Sequence, residues 1–157
     1  MPNIVNSPRP SKVTQAFAEA AVYYWLSKAG FKCSRMLLKA ITIMAKRTNT
    51  KERFGILVKI RSENIGPDCE FVSIHEKELK RAKIACKAIK CIPCIAVIIE
   101  RKDEIWIFMA TLKHLVEIQP SGTATLDWKM TEVDIMKYLS DNEIMAVELN
   151  HKVWTCW

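Results

Sequence analysis

Residues 73–99 read SIHEKELKRAKIACKAIKCIPCIAVII, and the change of pattern inside this stretch decides the fold. Its first part has helical spacing. Leu79, Ala82, Cys86 and Ile89 recur every three or four residues as one apolar stripe, and Lys77, Lys80, Arg81, Lys83, Lys87 and Lys90 take the other faces. Ser73 and Glu76 stand as an S-x-x-E capping box, whose hydroxyl and carboxylate would satisfy the first free N–H groups. Ile92-Pro93 breaks the helix, because proline offers no N–H to the helical ladder. Cys94–Ile99 is then a continuous apolar run, the pattern of a strand buried on both faces.

Working outward, Thr14–Ala29 is expected to be a helix, with Val13, Phe17, Ala20, Ala21 and Tyr24 at helical spacing and Gly30 as its stop. Met36–Ala45 and Phe54–Ile60 are β-prone, joined by the polar hairpin-like segment Lys46–Lys51. Gly66-Pro67-Asp68 marks a turn, and Glu70–Ser73 reads as a short third strand. On the other side, Ile105–Met109 reads as a strand and Thr111–Glu117 as a short helix. Pro120–Thr123 reads as a loop, and a last helix begins at Thr131 with Asp134 at the capping position. Ile144–Leu149 and the tail with Trp154 and Trp157 would add an edge strand or pack back. The expected order is α-β-β-β-α-β-β-α: an α/β fold with a central mixed β-sheet flanked by helices. Residues 1–12 are expected to be a flexible lead-in and 13–157 a single domain, with 118–157 as an extension packed on it.

Length and composition agree with one filled core. The chain has 157 residues, half of them apolar, which argues against disorder. No apolar run approaches the roughly 18 residues of a membrane span, so no membrane partner is expected. The polar, proline-containing start does not read as a signal peptide, and the six cysteines are expected to be reduced in a cytoplasmic setting. Charge is lopsided. Residues 1–90 hold 18 Lys/Arg against 7 Asp/Glu, and residues 91–157 hold 6 against 10. A basic half of this kind suits a phosphate backbone.

Several stretches carry a resemblance. They are the helix followed by Gly30-Phe31, Ile56-Leu57-Val58-Lys59-Ile60-Arg61-Ser62, Ser73–Ile89, Ile92-Pro93-Cys94-Ile95-Ala96-Val97, and Ile105-Trp106-Ile107-Phe108. Together they make the chain, over about Phe17 to Leu115, resemble the restriction-endonuclease-like PD-(D/E)XK superfamily, and within it the archaeal Holliday junction resolvases. The resemblance implies a nuclease-like fold, nucleic acid as partner (DNA ahead of RNA), a homodimer, and Mg²⁺ as cofactor if the chain is active. In such a site two carboxylates hold the Mg²⁺ that polarises the scissile phosphate, and a lysine stabilises the developing charge.

Carried across residue by residue, Lys59 takes the family lysine position and Glu19 that of an assisting helix glutamate. The acid two residues before the lysine is Leu57, and the preceding Asp position falls near Ala40 or Thr42, so the motif is degraded. A literal string, Pro67-Asp68 followed by Glu78-Leu79-Lys80, satisfies the letters. Inside a helix, however, positions i and i+2 point about 200° apart and cannot share one phosphate. Asp68 and Glu70 remain candidates for a relocated ligand beside Lys59. The expected phosphate-contacting residues are Lys46, Arg47, Lys51 and Arg53 on the hairpin, with Arg61, Lys80, Lys83 and Lys87.

The leading reading is therefore a nucleic-acid-binding protein of nuclease-like fold, a divergent or inactive Mg²⁺-dependent endonuclease acting on DNA. The alternative is a non-catalytic subunit of a larger assembly, similar to a tRNA-splicing endonuclease structural subunit, whose element order is alike. A third option uses Cys86-x₄-Cys91-x₂-Cys94 for an Fe–S or zinc site, against which the helical stripe makes Cys86 a core thiol. His75, His114 and His151 show no metal-binding spacing and read as structural or solvated.

Overall fold

The computed structural model describes residues 14–61, 71–101, 104–119 and 125–150. The helices are α1 (Gln15–Lys28), α2 (Glu76–Ile89), α3 (Leu112–Ile118) and α4 (Glu132–Leu139). The strands are β1 (Phe31–Leu38), β2 (Ile41–Arg47), β3 (Arg53–Arg61), β4 (Phe71–His75), β5 (Ile92–Arg101), β6 (Glu104–Thr111), β7 (Thr125–Lys129) and β8 (Met145–Asn150). Six strands form one sheet in the order β1-β2-β3-β5-β6-β8, and β4 pairs with β7 in a second, two-stranded sheet. Among the described strands only β3 and β5 run parallel, Lys59 opposite Val97; the remaining neighbours are antiparallel. The parallel pair follows from the helix between them, which carries the chain back across the sheet. This is the mixed, helix-flanked α/β sheet that the pattern of residues 73–99 implies.

The sheet divides the core in two. On one face α1 lays Ala18, Val22 and Leu26 against Ile56, Val58, Cys94, Ala96, Ile98 and Ile107. On the other, Leu57, Ile95, Val97, Ile99 and Phe108 meet Leu79 of α2, Leu112 and Leu115 of α3, Tyr138 of α4 and Trp128 of the small sheet. β5 is buried on both sides, Cys94 to Ile99 each at most 3 % exposed. Gly55 allows α2 its close approach to β3, since a Cβ there would stand 2.6 Å from the Cys86 sulfur.

Some expectations are corrected. Met36–Ala45 is not one strand but the end of β1, a turn at Lys39-Ala40 and most of β2. The buried stripe of α1 is Ala18, Val22 and Leu26, whereas Phe17 and Tyr24 are exposed. The N-cap of α2 is His75 rather than Ser73, whose hydroxyl instead reaches Asp127 across the small sheet at 2.6 Å. Thr131 caps α4, and Asp134 lies inside its first turn. Strand β7 was not foreseen. Pro120–Thr123, Trp154 and Trp157 fall outside the described residues.

Candidate functional site

Lys59 lies on β3 two residues beyond Leu57, so both side chains point to the α2 face of the sheet. Leu57 is 7 % exposed and packed in the core, and no carboxylate occupies the place the family motif gives to an acid. The Lys59 Nζ instead meets Glu78 Oε1 at 2.7 Å, with both side chains about a quarter to a third exposed. Glu78 is the third residue of α2, and its other oxygen accepts the backbone N–H of His75 at 3.1 Å. The carboxyl thus closes the helix N-terminus and neutralises the lysine at once. Burial would raise its pKa, but the Lys59 hydrogen bond, the His75 N–H and the Lys59 charge outweigh that and hold it below its ordinary value.

Glu19 sits elsewhere. It lies on α1, across the sheet from the Lys59 side chain, where Gln15 Nε2 donates to it at 3.0 Å and to the Val58 carbonyl at 2.9 Å. Glu19 is therefore linked to the backbone beside Lys59 but faces the other layer. Asp68 and Glu70 lie outside the described residues. The literal string parts as helical geometry requires: Glu78 turns to Lys59, and Lys80 pairs with Glu76 at 3.0 Å. Ala40 lies in the β1–β2 turn, and the Thr42 hydroxyl donates to the Ile56 carbonyl at 3.4 Å. Among the described residues around Lys59 no carboxylate pair is available for Mg²⁺. The described side chains here do not fit a two-carboxylate metal site.

The basic candidates split by face. Lys32 of β1 stands directly opposite Lys46 of β2, and Lys46 opposite Arg53 of β3. Directly opposed residues share a face, so three cations form a row across three strands. All three are exposed, and among the described residues none of them has an ion-pair partner. The Arg53 charge acts on the Cys91 thiol, which places that end of the row beside the α2–β5 junction. Lys83 and Lys87 of α2 are exposed and line, with Cys86, Cys91, Pro93 and Lys113, a cavity of about 570 Å³ between α2 and α3. Arg47 is engaged differently, lying 5.5 Å and 5.6 Å from the ring centres of Phe31 and Phe54 and 3.8 Å from Glu52. Lys51 is exposed in the turn. The Arg61 side chain lies outside the described set.

Among the described cysteines, Cys86 and Cys94 are core thiols, while Cys33 and Cys91 are partly exposed. Cys86 packs under α2 and Cys94 on the α1 face, so the three sulfurs of the C-x₄-C-x₂-C spacing are distributed over both sides of the sheet. Burial pushes Cys86 up to about 11 and Cys94 up to about 12, against ready metal binding by thiolates.

A cluster not foreseen from the sequence surrounds His114. Its Nε2 lies 2.7 Å from Asp141 Oδ2, and its Nδ1 lies 2.9 Å from Glu143 Oε2 and 3.8 Å from Glu117 Oε2. Burial would lower the imidazole pKa, but the Asp141 hydrogen bond and the charges of Asp141, Glu143 and Glu117 hold it above its ordinary value. Among the described residues, His114, Asp141 and Glu143 are the one group of His, Cys, Asp or Glu side chains whose ligand atoms lie close enough together to hold a metal, and Glu117 stands outside it. Glu117 at i+3 from His114 was legible as a helical neighbour; the approach of Asp141 and Glu143 needed the fold.

The sheet order and helix placement define a nuclease-like α/β fold. A solved structure of that class that this chain resembles is Archaeoglobus fulgidus Hjc, a Holliday junction resolvase from an archaeal hyperthermophile. The TM-score is 0.54 at 17 % identity, covering 73 % of this chain and 88 % of that one. No family model and no curated protein sequence matches the chain. At that identity the likeness shows the fold alone. Among the described residues, no helix is long and apolar enough to cross a membrane.

Proposed function

We propose that this chain is a nucleic-acid-binding protein of nuclease-like fold, with DNA ahead of RNA as its partner, in which Mg²⁺-dependent cleavage is not the working activity. The observation that carries the binding half is the row Lys32–Lys46–Arg53. Like charges set directly opposite one another weaken a sheet, and no described carboxylate offsets them. A phosphate backbone does. Exposed Lys83 and Lys87 extend the positive surface; Lys51 and Arg61 are further candidates on the same reading. The second half rests on Leu57 in the core and on Lys59 held by Glu78.

The test is binding to duplex, four-way-junction and single-stranded DNA and to tRNA over a range of salt, with a parallel cleavage assay in Mg²⁺. Salt-steep binding that collapses in Lys32→Glu/Lys46→Glu, without cleavage, supports the proposal. Salt-independent or absent binding rejects it. Mg²⁺-dependent cleavage lost in Lys59→Ala would return Lys59, Glu19 and a relocated Asp68 or Glu70 to a working site.

The reading as a non-catalytic subunit of a larger assembly has its own support. Leu37 is fully exposed and Leu38 43 % exposed at the end of β1, an edge strand, just before the turn into β2. A solution mass above one chain, with no nucleic-acid binding, would favour it. A dimer with binding would instead fit the homodimer expected of resolvase-like relatives.

A further inference from the structure

His114 is 9 % exposed and sits at the start of α3, yet three carboxylates converge on its ring. Both oxygens of Asp141 are already committed: Oδ2 lies 2.7 Å from Nε2 of His114, and Oδ1 accepts the Glu143 backbone N–H at 2.9 Å. That arrangement fixes the tautomer with the proton on Nε2, the outer-shell device that orients metal-bound histidines. In the neutral imidazole this leaves Nδ1 as a lone pair. This atom is enclosed and has no hydrogen-bond partner, although Glu143 Oε2 stands 2.9 Å away and Glu117 Oε2 3.8 Å away. Carboxylates only accept, so a lone pair facing two of them is repulsive unless something positive lies between.

A single proton would leave three carboxylates facing one positive charge. Among the described residues, no lysine or arginine ion-pairs with Glu117, Asp141 or Glu143. We propose that Nδ1 of His114 with the carboxylates of Glu143 and Glu117 binds a first-row divalent cation, and that Asp141 positions the imidazole from its far nitrogen. One imidazole and two carboxylates suit Zn²⁺ or Mn²⁺, with the remaining positions filled by water. Ligand atoms around a cation with arms of ~2.1 Å stand roughly 3.0–3.4 Å apart. Glu143 already stands 2.9 Å from Nδ1, whereas Glu117, at 3.8 Å and outside the group whose ligand atoms lie together, reaches the same cation by a turn of its exposed side chain. The site is separate from Lys59 and does not depend on the proposed nucleic-acid function.

The experiment uses the full chain, stripped with chelator, and Mn²⁺ as the probe, because the thiols compete for Zn²⁺ but poorly for Mn²⁺. Bound Mn²⁺ is counted by electron paramagnetic resonance while thermal unfolding is followed in parallel. One ion per chain is expected. The affinity should fall at least tenfold in Glu143→Gln and in Glu117→Gln, and remain that of the wild type in Glu148→Gln, an exposed acid away from the cluster. Asp141→Asn should weaken binding by about tenfold or more and change the tautomer seen in the His114 ring ¹⁵N shifts, with the helical and sheet content intact. Absence of saturable binding in the wild type overturns the proposal. So does stoichiometric binding that survives Glu117→Gln/Glu143→Gln.

Discussion

Lys59 of β3 and Glu78 of α2, nineteen residues apart, meet at 2.7 Å, and the same glutamate caps the helix that follows β4. The pair joins the central sheet to the first turn of α2. Removing the lysine leaves a partly buried carboxylate that keeps the His75 N–H but has lost its cation. Exposed pairs contribute about 0–1 kcal/mol and broken buried ones cost about 3–5, so Lys59→Met should destabilise the fold by roughly 1–2 kcal/mol. A double-mutant cycle with Glu78→Gln in urea measures the coupling. Additive effects of the two substitutions would show that the contact contributes nothing.

Glu78 also makes stability depend on pH. Its carboxyl titrates below the ordinary value of 4.5 in the folded chain. A group whose pKa is depressed by folding stabilises the protein above its unfolded value and loses that contribution as pH falls through the folded one. The stability gap between wild type and Glu78→Gln should therefore be constant from neutral pH down to about 5. It should shrink below about 4.5. Urea midpoints at several pH values test this, and a gap that widens in acid would contradict it.

Gly55 predicts a packing effect. An added Cβ would lie 2.6 Å from Cys86 Sγ and 3.0 Å from Ile41 Cδ1, so either α2 lifts from β3 or the sulfur moves. Gly55→Ala should cost about 1–3 kcal/mol, the usual range for overpacking. Cys86→Ala removes the nearer of these atoms. The Gly55→Ala/Cys86→Ala double variant should lose less stability than the sum of the two single variants. Thermal unfolding of the four proteins reads this directly.

What was legible in the sequence follows from where the signal is local. The α2 stripe and the β5 run were readable because helical period and continuous apolarity each depend on nearest neighbours, and both appear where expected. Helix α1 was found but its buried face was not. It is apolar on most sides, so spacing alone could not choose Ala18, Val22 and Leu26 over Phe17 and Tyr24. The turn at Lys39-Ala40 carries no glycine, proline or asparagine to mark it within an apolar run. Ser73 lost its capping role to a partner 54 residues away, Asp127, in a strand that has meaning only once β4 is beside it. The same limit applies to the sites. Lys59 and the hairpin cations were visible as residues, but Glu78 as the partner of Lys59, Lys32 as the third cation of the row and Asp141 beside His114 are products of tertiary register.

The cation row makes the most discriminating prediction, because its effects on stability and on binding have opposite sign. Lys46 lies between Lys32 and Arg53, with like charge on both sides and no described counter-ion. Lys46→Thr removes that repulsion and places a β-branched side chain on a strand, so the free protein should gain a few tenths of a kcal/mol, about 0.2–1. Binding to duplex DNA should weaken at the same time. Each lost phosphate contact lowers the slope of log affinity against log salt by about 0.9, so the single variant should lose roughly one unit and Lys32→Thr/Lys46→Thr roughly two. Anisotropy titrations at several salt concentrations, beside thermal unfolding of the free protein, give both numbers. A variant that is more stable and binds with an unchanged salt slope would leave the row as mere surface charge, and the nucleic-acid face would have to lie along Lys83 and Lys87 instead.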